Sequence, residues 1–399
     1  MKKLTVKDIQ LKGKRLLMRV DFNVPLDASQ NITDDKRIKA ALPTIQYAVD
    51  QGAKVVLMSH LGRPKGSRIP EMSLKPAAVR LGELLGKEVQ LAPDCTGPET
   101  ETLVGKMAEG DVVLLENVRF HKAETDNDTD FSSQLAKLGD VYANDAFGSA
   151  HRAHASTHGV TQHFDICVSG FLMEKEINFL GAAVSDPARP YIAILGGAKI
   201  SDKIPVIENL IDKVDRLIIG GGMMFTFLKA QGKEIGSSLL DSDSLDFVKS
   251  ILNEKGDKIA LPVDCLVSDT FDFKTMTIGQ KKVVSVDDIP EGWLGLDVGP
   301  ETLTQFSEIC SQAKTIVWNG PLGVFENPET AKGTLAIAEL LAELTPKGIT
   351  TIIGGGDSAS AVKKAGVADK MSHVSTGGGA SLEFLQGKAL PGVSVLTDA

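Results

Sequence analysis

The sequence predicts an α/β protein made of two doubly wound parallel-sheet domains joined by a hinge helix. Short apolar runs alternate with longer amphipathic segments along most of the chain, the pattern of parallel strands crossed over by helices. Loops rich in glycine or in cations follow those runs, at the position where open parallel sheets bind ligands. The breaker-rich stretch Ser185-Asp186-Pro187-Ala188-Arg189-Pro190 interrupts the alternation near the middle of the 399 residues, a length that suits two cores better than one.

In the first half the expected strands are Leu16–Val20, Lys54–Met58, Val112–Leu115 and Asp140–Ala143. In the second they are Tyr191–Leu195, Arg216–Ile219, Lys258–Val263, Thr315–Val317 and Thr350–Ile353. A helix is expected over Lys36–Gln51, with Thr33 as its N-cap, Gly52 as its stop and Pro43 as a source of a kink. A second helix, Phe171–Val184, runs into the breaker-rich stretch and marks the domain boundary. The expected division is a first domain over 1–170, a hinge helix and linker over 171–189, and a second domain over 190–387.

Composition narrows the function. With 42% hydrophobic and 24% charged residues the chain is ordinary and globular. A net charge of −9 argues against nucleic acid or an anionic membrane as partner, because both demand a basic footprint. Cys95, Cys167, Cys265 and Cys310 form no C-x-x-C pair and are expected as buried apolar residues. The start of the chain has no apolar signal core, and no stretch reaches the roughly 18 apolar residues of a membrane span. A cytosolic monomer is expected.

Against that acidic background the first half places cations at strand ends: Arg37 after Asp21-Phe22-Asn23, then Ser59-His60-Leu61-Gly62-Arg63, Asn117-Val118-Arg119 and His151-Arg152. Arginines converging from separate loops demand an anion with more than one charge. The same residues taken singly would be surface salt bridges. His60, His151, His154 and His158 match no zinc spacing, so His60 is read as a contact to a phosphate or carboxylate oxygen.

The second half carries glycine runs instead, at Gly220-Gly221-Gly222, Gly354-Gly355-Gly356 and Gly377-Gly378-Gly379. Gly196-Gly197-Ala198-Lys199 follows a strand and puts Lys199 and Lys203 at helical spacing beside a candidate phosphate loop. It is neither a Walker motif nor a dinucleotide fingerprint. Asp357 and Ser358 open a helix, where Asp357 is either an N-cap or a Mg²⁺ ligand, with Asp202 as a weaker second candidate.

Taken in order, these stretches resemble the phosphoglycerate kinase family: Arg19-Val20-Asp21-Phe22-Asn23-Val24-Pro25, Ser59-His60-Leu61-Gly62-Arg63-Pro64, Glu116-Asn117-Val118-Arg119-Phe120, Ala150–Ser156, Leu195–Lys199, Trp318–Glu326, Gly354–Ser358 and Ser375–Ala380. The resemblance spans nearly the whole chain, and Ser358 stands where many members have threonine. It implies that Asp21, Asn23, Arg37, His60, Arg63, Arg119 and Arg152 hold 3-phosphoglycerate or 1,3-bisphosphoglycerate. It implies that Lys203, Asp357 and Ser358 hold the phosphates of ATP or ADP with Mg²⁺, and that Glu326 holds the ribose. Gly220, Gly221 and Gly295 would line the adenine pocket. Arg37, Lys199 and the amides around Gly355, Gly356, Gly378 and Gly379 would surround the phosphoryl group in transfer, with Arg37, Lys199, Gly356 and Gly379 as the catalytic set. The C-terminal tail, 388–399, would fold back onto the first domain.

Two other classes compete. A two-domain protein that binds an anionic metabolite without chemistry would have no use for Lys199–Lys203 or Gly354–Ser358. A nicotinamide-dependent dehydrogenase would need the glycine fingerprint and a His–Asp pair, and the sequence offers neither.

Overall fold

A computed structural model of the chain describes residues 2–399. It divides into two compact units, one of residues 1–178 with 389–399 and the other of 179–388. The division falls inside the helix Phe171–Ser185.

Unit 1 is built on strands β1 (Arg15–Arg19), β2 (Lys54–Met58), β3 (Val89–Leu91), β4 (Val112–Leu114), β5 (Val141–Asn144) and β6 (Cys167–Ser169), in the order β3-β4-β2-β1-β5-β6. All pairs are parallel. The chain leaves β1 toward β2 on one side and returns to β5 on the other, so the strand order reverses beside β1, the place where such sheets leave a crevice. The strands are buried on both faces, which explains their unbroken apolar runs: Leu16, Leu17 and Met18 are fully covered. β3 and β6, absent from the expected set, are three-residue edge strands too short to show a period.

The helix expected over Lys36–Gln51 forms over Lys36–Asp50 and runs through Pro43. Gly52 follows its C-cap at φ 74°, the left-handed stop that glycine permits. Its N-cap is Asp35 rather than Thr33. The Thr33 hydroxyl is spent on the carbonyl of Pro25, while Asp34 Oδ1 accepts from the N–H of Lys36 at 3.0 Å. Residues 389–399 lie along unit 1: Leu4 N–H donates to Thr397 O, Thr397 N–H to Cys167 O, and Asn144 Nδ2 to Gly392 O at 3.0 Å.

Unit 2 holds a second parallel sheet: β7 (Tyr191–Leu195), β8 (Arg216–Ile219), β9 (Ile259–Ala260), β15 (Thr315–Asn319), β16 (Thr350–Gly354) and β17 (His373–Val374), in the order β17-β16-β15-β7-β8-β9. The strand expected over Lys258–Val263 shrinks to β9, because Pro262 cannot donate to a ladder. The chain instead enters an antiparallel sheet that the alternation did not announce: β10 (Asp264–Ser268) lies between β13 (Lys281–Ser285) and β14 (Leu294–Val298), with β11 (Phe271–Asp272) and β12 (Thr277–Ile278) as a hairpin between. The core is aliphatic with Trp318, Phe225, Phe227 and Phe306 fully buried. Among the described residues no helix is long and apolar enough to cross a membrane, and the four cysteines are buried and unbridged.

The helix Phe171–Ser185 starts on a carboxyl group from β5's end. Asp145 Oδ1 accepts from the N–H of Met173 at 3.1 Å, and its Oδ2 has no hydrogen-bond partner. Burial pushes this group up to about 7, against the pull of the Thr44 hydroxyl and the Met173 and Leu172 amides. A carboxyl raised above its unfolded value stabilises the fold fully only below the unfolded pKa near 4, and that contribution is lost as pH rises toward 7. Asp145→Asn keeps an acceptor and removes the titration. We expect the variant to gain on the wild type by at most about 4 kcal/mol between pH 4 and pH 8 in urea unfolding; parallel stability curves would show that Asp145 does not titrate in that window.

Candidate active site

In unit 1 the loops after β1, β2 and β4 are tied to one another by side chains. Ser59 Oγ accepts from Phe22 N–H at 2.8 Å, and Asn23 Oδ1 accepts from Gly62 N–H at 2.9 Å. Asn117, fully buried, donates from Nδ2 to Leu61 O and Met72 O and accepts the N–H of Arg119. Asp21 takes both its oxygens to Arg37 Nη1, at 2.9 and 2.8 Å, so Arg37 is held at the end of β1 from the first turn of its helix.

Arg63, Arg119 and Arg152 line one cavity of about 400 Å³, joined by Lys65, Lys122, Gly66 and Thr125. No carboxylate lines it. Arg119 donates from Nη1 to Gly62 O at 2.9 Å, while its buried Nε has no partner. Burial first, then the charges of Arg19 and Arg152, push its guanidinium down to about 10. A cation held at a cost against other cations marks a place for an anion. A wider groove of about 920 Å³ lies elsewhere on unit 1, along residues 30–39 and 70–83. Several of its charges are paired, Asp35 with Lys39 and Arg80, and Arg80 also with Glu83. Lys65 and Lys122 escaped the sequence argument because isolated lysines carry no motif.

His60 is buried and its Nδ1 lies 3.1 Å from Arg19 Nη2. Burial above all, then Arg19, Arg119, Arg37 and His154, holds its pKa well below the ordinary imidazole value. His154 is lowered to about 4 by burial and then by Arg119, Arg19 and Arg152. Both are neutral near pH 7 and neither adds charge to the cavity.

In unit 2 the loops after β7, β8 and β15 stack on one another through main-chain bonds: Gly197 N–H to Pro321 O, Gly221 N–H to Leu322 O, and Met223 N–H to Gly197 O. Beside them opens a slot of about 250 Å³ between Phe225, Leu239, Met276, Leu322 and Val324, with Glu326 and Asp357 on its rim. Gly221 and Gly295 line it. Gly220 does not; it lies under Leu322, whose side chain a Cβ there would strike. A Cβ at Gly295 would overlap the Phe225 ring, so glycine keeps the slot open. The apolar lining had no sequence signature, being ordinary core residue types.

The polar end of the slot leads to two helices, Gly356–Lys364 and Gly378–Leu385, whose N-caps, Gly355 and Gly377, make no side-chain cap. Their starts meet: the position of a Cβ on Gly378 is 3.5 Å from Gly356 N. Uncapped amide groups facing a shared space form an anion site. Gly355 needs φ 87°, and a Cβ there would sit 3.0 Å from Asn319 Nδ2. The Gly355 amide itself is occupied, donating to Ser381 Oγ at 3.1 Å, which leaves Gly356 among the amides for a ligand. Gly379 lies exposed in the first turn of the second helix.

Asp357 is exposed and is not the cap of its helix. Ser358 is fully buried with its Oγ accepting from Gly320 N–H at 2.6 Å, so its hydroxyl ties two loops together rather than facing solvent. Lys199 is exposed. Residues 201–203 form a turn, and the helix begins at Ile204, where Pro205 suits the first turn. Lys203 bonds to Asn319 Oδ1; burial lowers its pKa while Asp357 and Asp202 raise it. Asn319 Nδ2 is buried without a partner. That orphan donor beside Lys203 and the uncapped amides was missed in the sequence, where Asn319 was read only as part of a strand-end loop.

Amides beside an apolar slot in one unit and clustered guanidinium groups in the other are the kinds of group that phosphotransferases use. A sequence profile of phosphoglycerate kinases matches residues 6–388. The phosphoglycerate kinase of Chloroherpeton thalassium is 56% identical over 402 aligned positions, 100% of each chain. The cytosolic phosphoglycerate kinase of Triticum aestivum is 56% identical over 398, covering 99% of this chain and 98% of its own. In structure, the phosphoglycerate kinase of Coxiella burnetii matches with a TM-score of 0.89 and 41% identity over 98% of each chain. The chain belongs to the phosphoglycerate kinase family, phosphotransferases with a carboxyl group as acceptor.

Gly295→Ala should push the Phe225 ring into the slot. We expect the Kd for ADP to rise about tenfold, the scale of an overpacked site, with binding of 3-phosphoglycerate unchanged in calorimetry. Unaltered ADP affinity would show that the base does not enter this slot.

Proposed function

We propose that the enzyme transfers a phosphoryl group reversibly between 1,3-bisphosphoglycerate and ADP, giving 3-phosphoglycerate and ATP, a step of glycolysis. The meeting of two uncapped helix starts at Gly356 and Gly378 beside an apolar slot carries the nucleotide half of this reading. In this reading unit 2 takes ATP or ADP: the base between Gly221, Gly295 and Leu322, the ribose at Glu326, and the phosphates at Lys203, Asn319 and the Gly356 and Gly379 amides. Unit 1 takes the triose anion, with Arg63, Arg119 and Arg152 around its phosphate and Asp21, Asn23, Arg37 and His60 around its carboxyl end. The helix Phe171–Ser185 serves as the hinge.

The acceptor in the direction of ATP consumption is a carboxylate, ionised near neutral pH without help. No general base is required, and the task is alignment and charge compensation for the equatorial oxygens. Arg37, Lys199 and the Gly356 and Gly379 amides would supply the donors. The donor set also fits Mg²⁺. Asp357 is a carboxylate released from capping beside a phosphate site, and Mg²⁺ takes one or two carboxylates together with substrate oxygens. The metal would neutralise charge on the nucleotide phosphates. A monomer in the cytosol without nucleic-acid or membrane partners accords with the net charge of −9.

A coupled assay for ATP consumption dependent on 3-phosphoglycerate, with and without Mg²⁺, tests the reaction, and a binding protein without chemistry would show none. Arg37→Ala should lower kcat by about 10³ or more, as the loss of an arginine on the transferred group does. Arg63→Ala or Arg152→Ala should raise KM for 3-phosphoglycerate with little change for ATP. Equal effects on both substrates would refute the division between units.

Asp357→Ala should weaken MgATP and shift the Mg²⁺ concentration giving half-maximal rate. A Mg²⁺ response identical to wild type would remove Asp357 from the metal site.

A further inference from the structure

We propose that a buried chain, Glu124–Ser156–Arg19, fixes His60 in one neutral tautomer, with Nδ1 bare and the proton on Nε2, so that His60 offers the substrate anion a hydrogen bond but no charge. This rests on the reading of His60 as a contact to the triose substrate and makes Arg19, Ser156 and Glu124 positioning residues.

Arg19, the last residue of β1, is fully buried. Its Nη1 donates to Val20 O and its Nε to Ser156 Oγ at 2.8 Å, which leaves Nη2 against His60 Nδ1 at 3.1 Å. A guanidinium has only donors, so Nδ1 must accept. A neutral imidazole that accepts at Nδ1 carries its proton at Nε2, and a proton at Nδ1 would set N–H against N–H. Among the described residues Nε2 has no hydrogen-bond partner, and it is free to donate outward.

What holds Arg19 in that pose is equally constrained. Ser156 Oγ accepts from Arg19 Nε and donates to Glu124 Oε1 at 2.6 Å, while Ser156 N–H donates to Glu124 Oε2 at 2.8 Å. The hydroxyl is therefore oriented in one sense along the chain. Glu124 and Ser156 are both fully buried. Glu124 is the carboxylate in this chain of contacts and the counter-charge to a buried arginine, reached through one hydroxyl. His154 Nδ1 lies 3.8 Å from the same carboxylate. Arg119 and Arg37 also face His60 electrostatically, and both oppose an imidazolium.

The test begins without substrate. In ¹⁵N-labelled enzyme, long-range ¹H–¹⁵N spectra at neutral pH should show one His60 species, Nδ1 unprotonated and Nε2 protonated, assigned by its loss in His60→Gln. A protonated Nδ1 or an imidazolium would overturn the proposal. Ser156→Ala cuts the chain at its centre and should give a mixture of tautomers, with KM for 3-phosphoglycerate raised about tenfold, the scale of one charge-assisted hydrogen bond, and KM for ATP unchanged. Arg19→Met, checked for folding by circular dichroism, should do the same. A single unchanged tautomer in Ser156→Ala would also overturn it. An unchanged KM for 3-phosphoglycerate in His60→Gln would refute the substrate contact instead, an outcome the spectra tell apart.

Discussion

Two helices of unit 2 begin with no side chain to satisfy their first amides, and much of the site follows from that omission. A helix start left open is a cost unless an anion or water completes it. The positions just before these starts are glycines; at Gly355 the φ of 87° and the approach of Asn319 Nδ2 favour one. The same loops must also hold each other at main-chain distance, which is why Gly197 and Gly221 bond directly to the carbonyls of Pro321 and Leu322. Ser358 and Ser381 serve this arrangement from behind, one tying Gly320 and the other Gly355. The donors that remain are the Gly356 amide and Asn319 Nδ2, beside Lys203, whose Nζ also donates to Asn319 Oδ1.

Unit 1 solves a related problem by the opposite means. The three arginines of its cavity, Arg63, Arg119 and Arg152, have no carboxylate in the lining, whereas Lys122 there is paired with Asp126. Outside the cavity Asp21 holds Arg37 at the end of β1 with both oxygens. The depressed pKa of Arg119 expresses the strain of this assembly, since burial and neighbouring cations both disfavour its charge. An entering polyanion would remove that penalty.

The parts of this architecture that sequence exposed are those with a local physical signature. Buried parallel strands such as Lys54–Met58 and Tyr191–Leu195 announce themselves as apolar runs, and strand-end loops announce themselves by glycine or arginine. What stayed hidden depends on partners distant in the chain. β3 and β6 are three-residue strands defined only by their pairing with β4 and β5, and β10 turns antiparallel only because β13 and β14 return to it. Thr33 looked like a cap, yet the Pro25 carbonyl claimed its hydroxyl. Gly220 looked like pocket lining, yet Leu322 covers it. Phe225, Leu239 and Val324 form the slot as ordinary apolar residues whose role is set by position alone. The site candidates legible in sequence were therefore the charged and the glycine ones, and the apolar lining of the slot was not.

The chemistry accounts for one further absence. A transfer to or from a carboxylate asks for no proton movement at the attacking oxygen, so a histidine near the acceptor is useful only as a neutral donor. Two histidines of unit 1, His60 and His154, are pushed toward the neutral form by burial and by arginines. An imidazolium there would add one more cation to a cluster already costly to hold, and an imidazole with a wandering proton would present a lone pair to an anion. Burying Arg19 beneath His60 removes both outcomes with one guanidinium, since it repels a second charge and occupies the nitrogen that would otherwise take the proton. The arginines can then act on the substrate's charge without competition from a titrating neighbour.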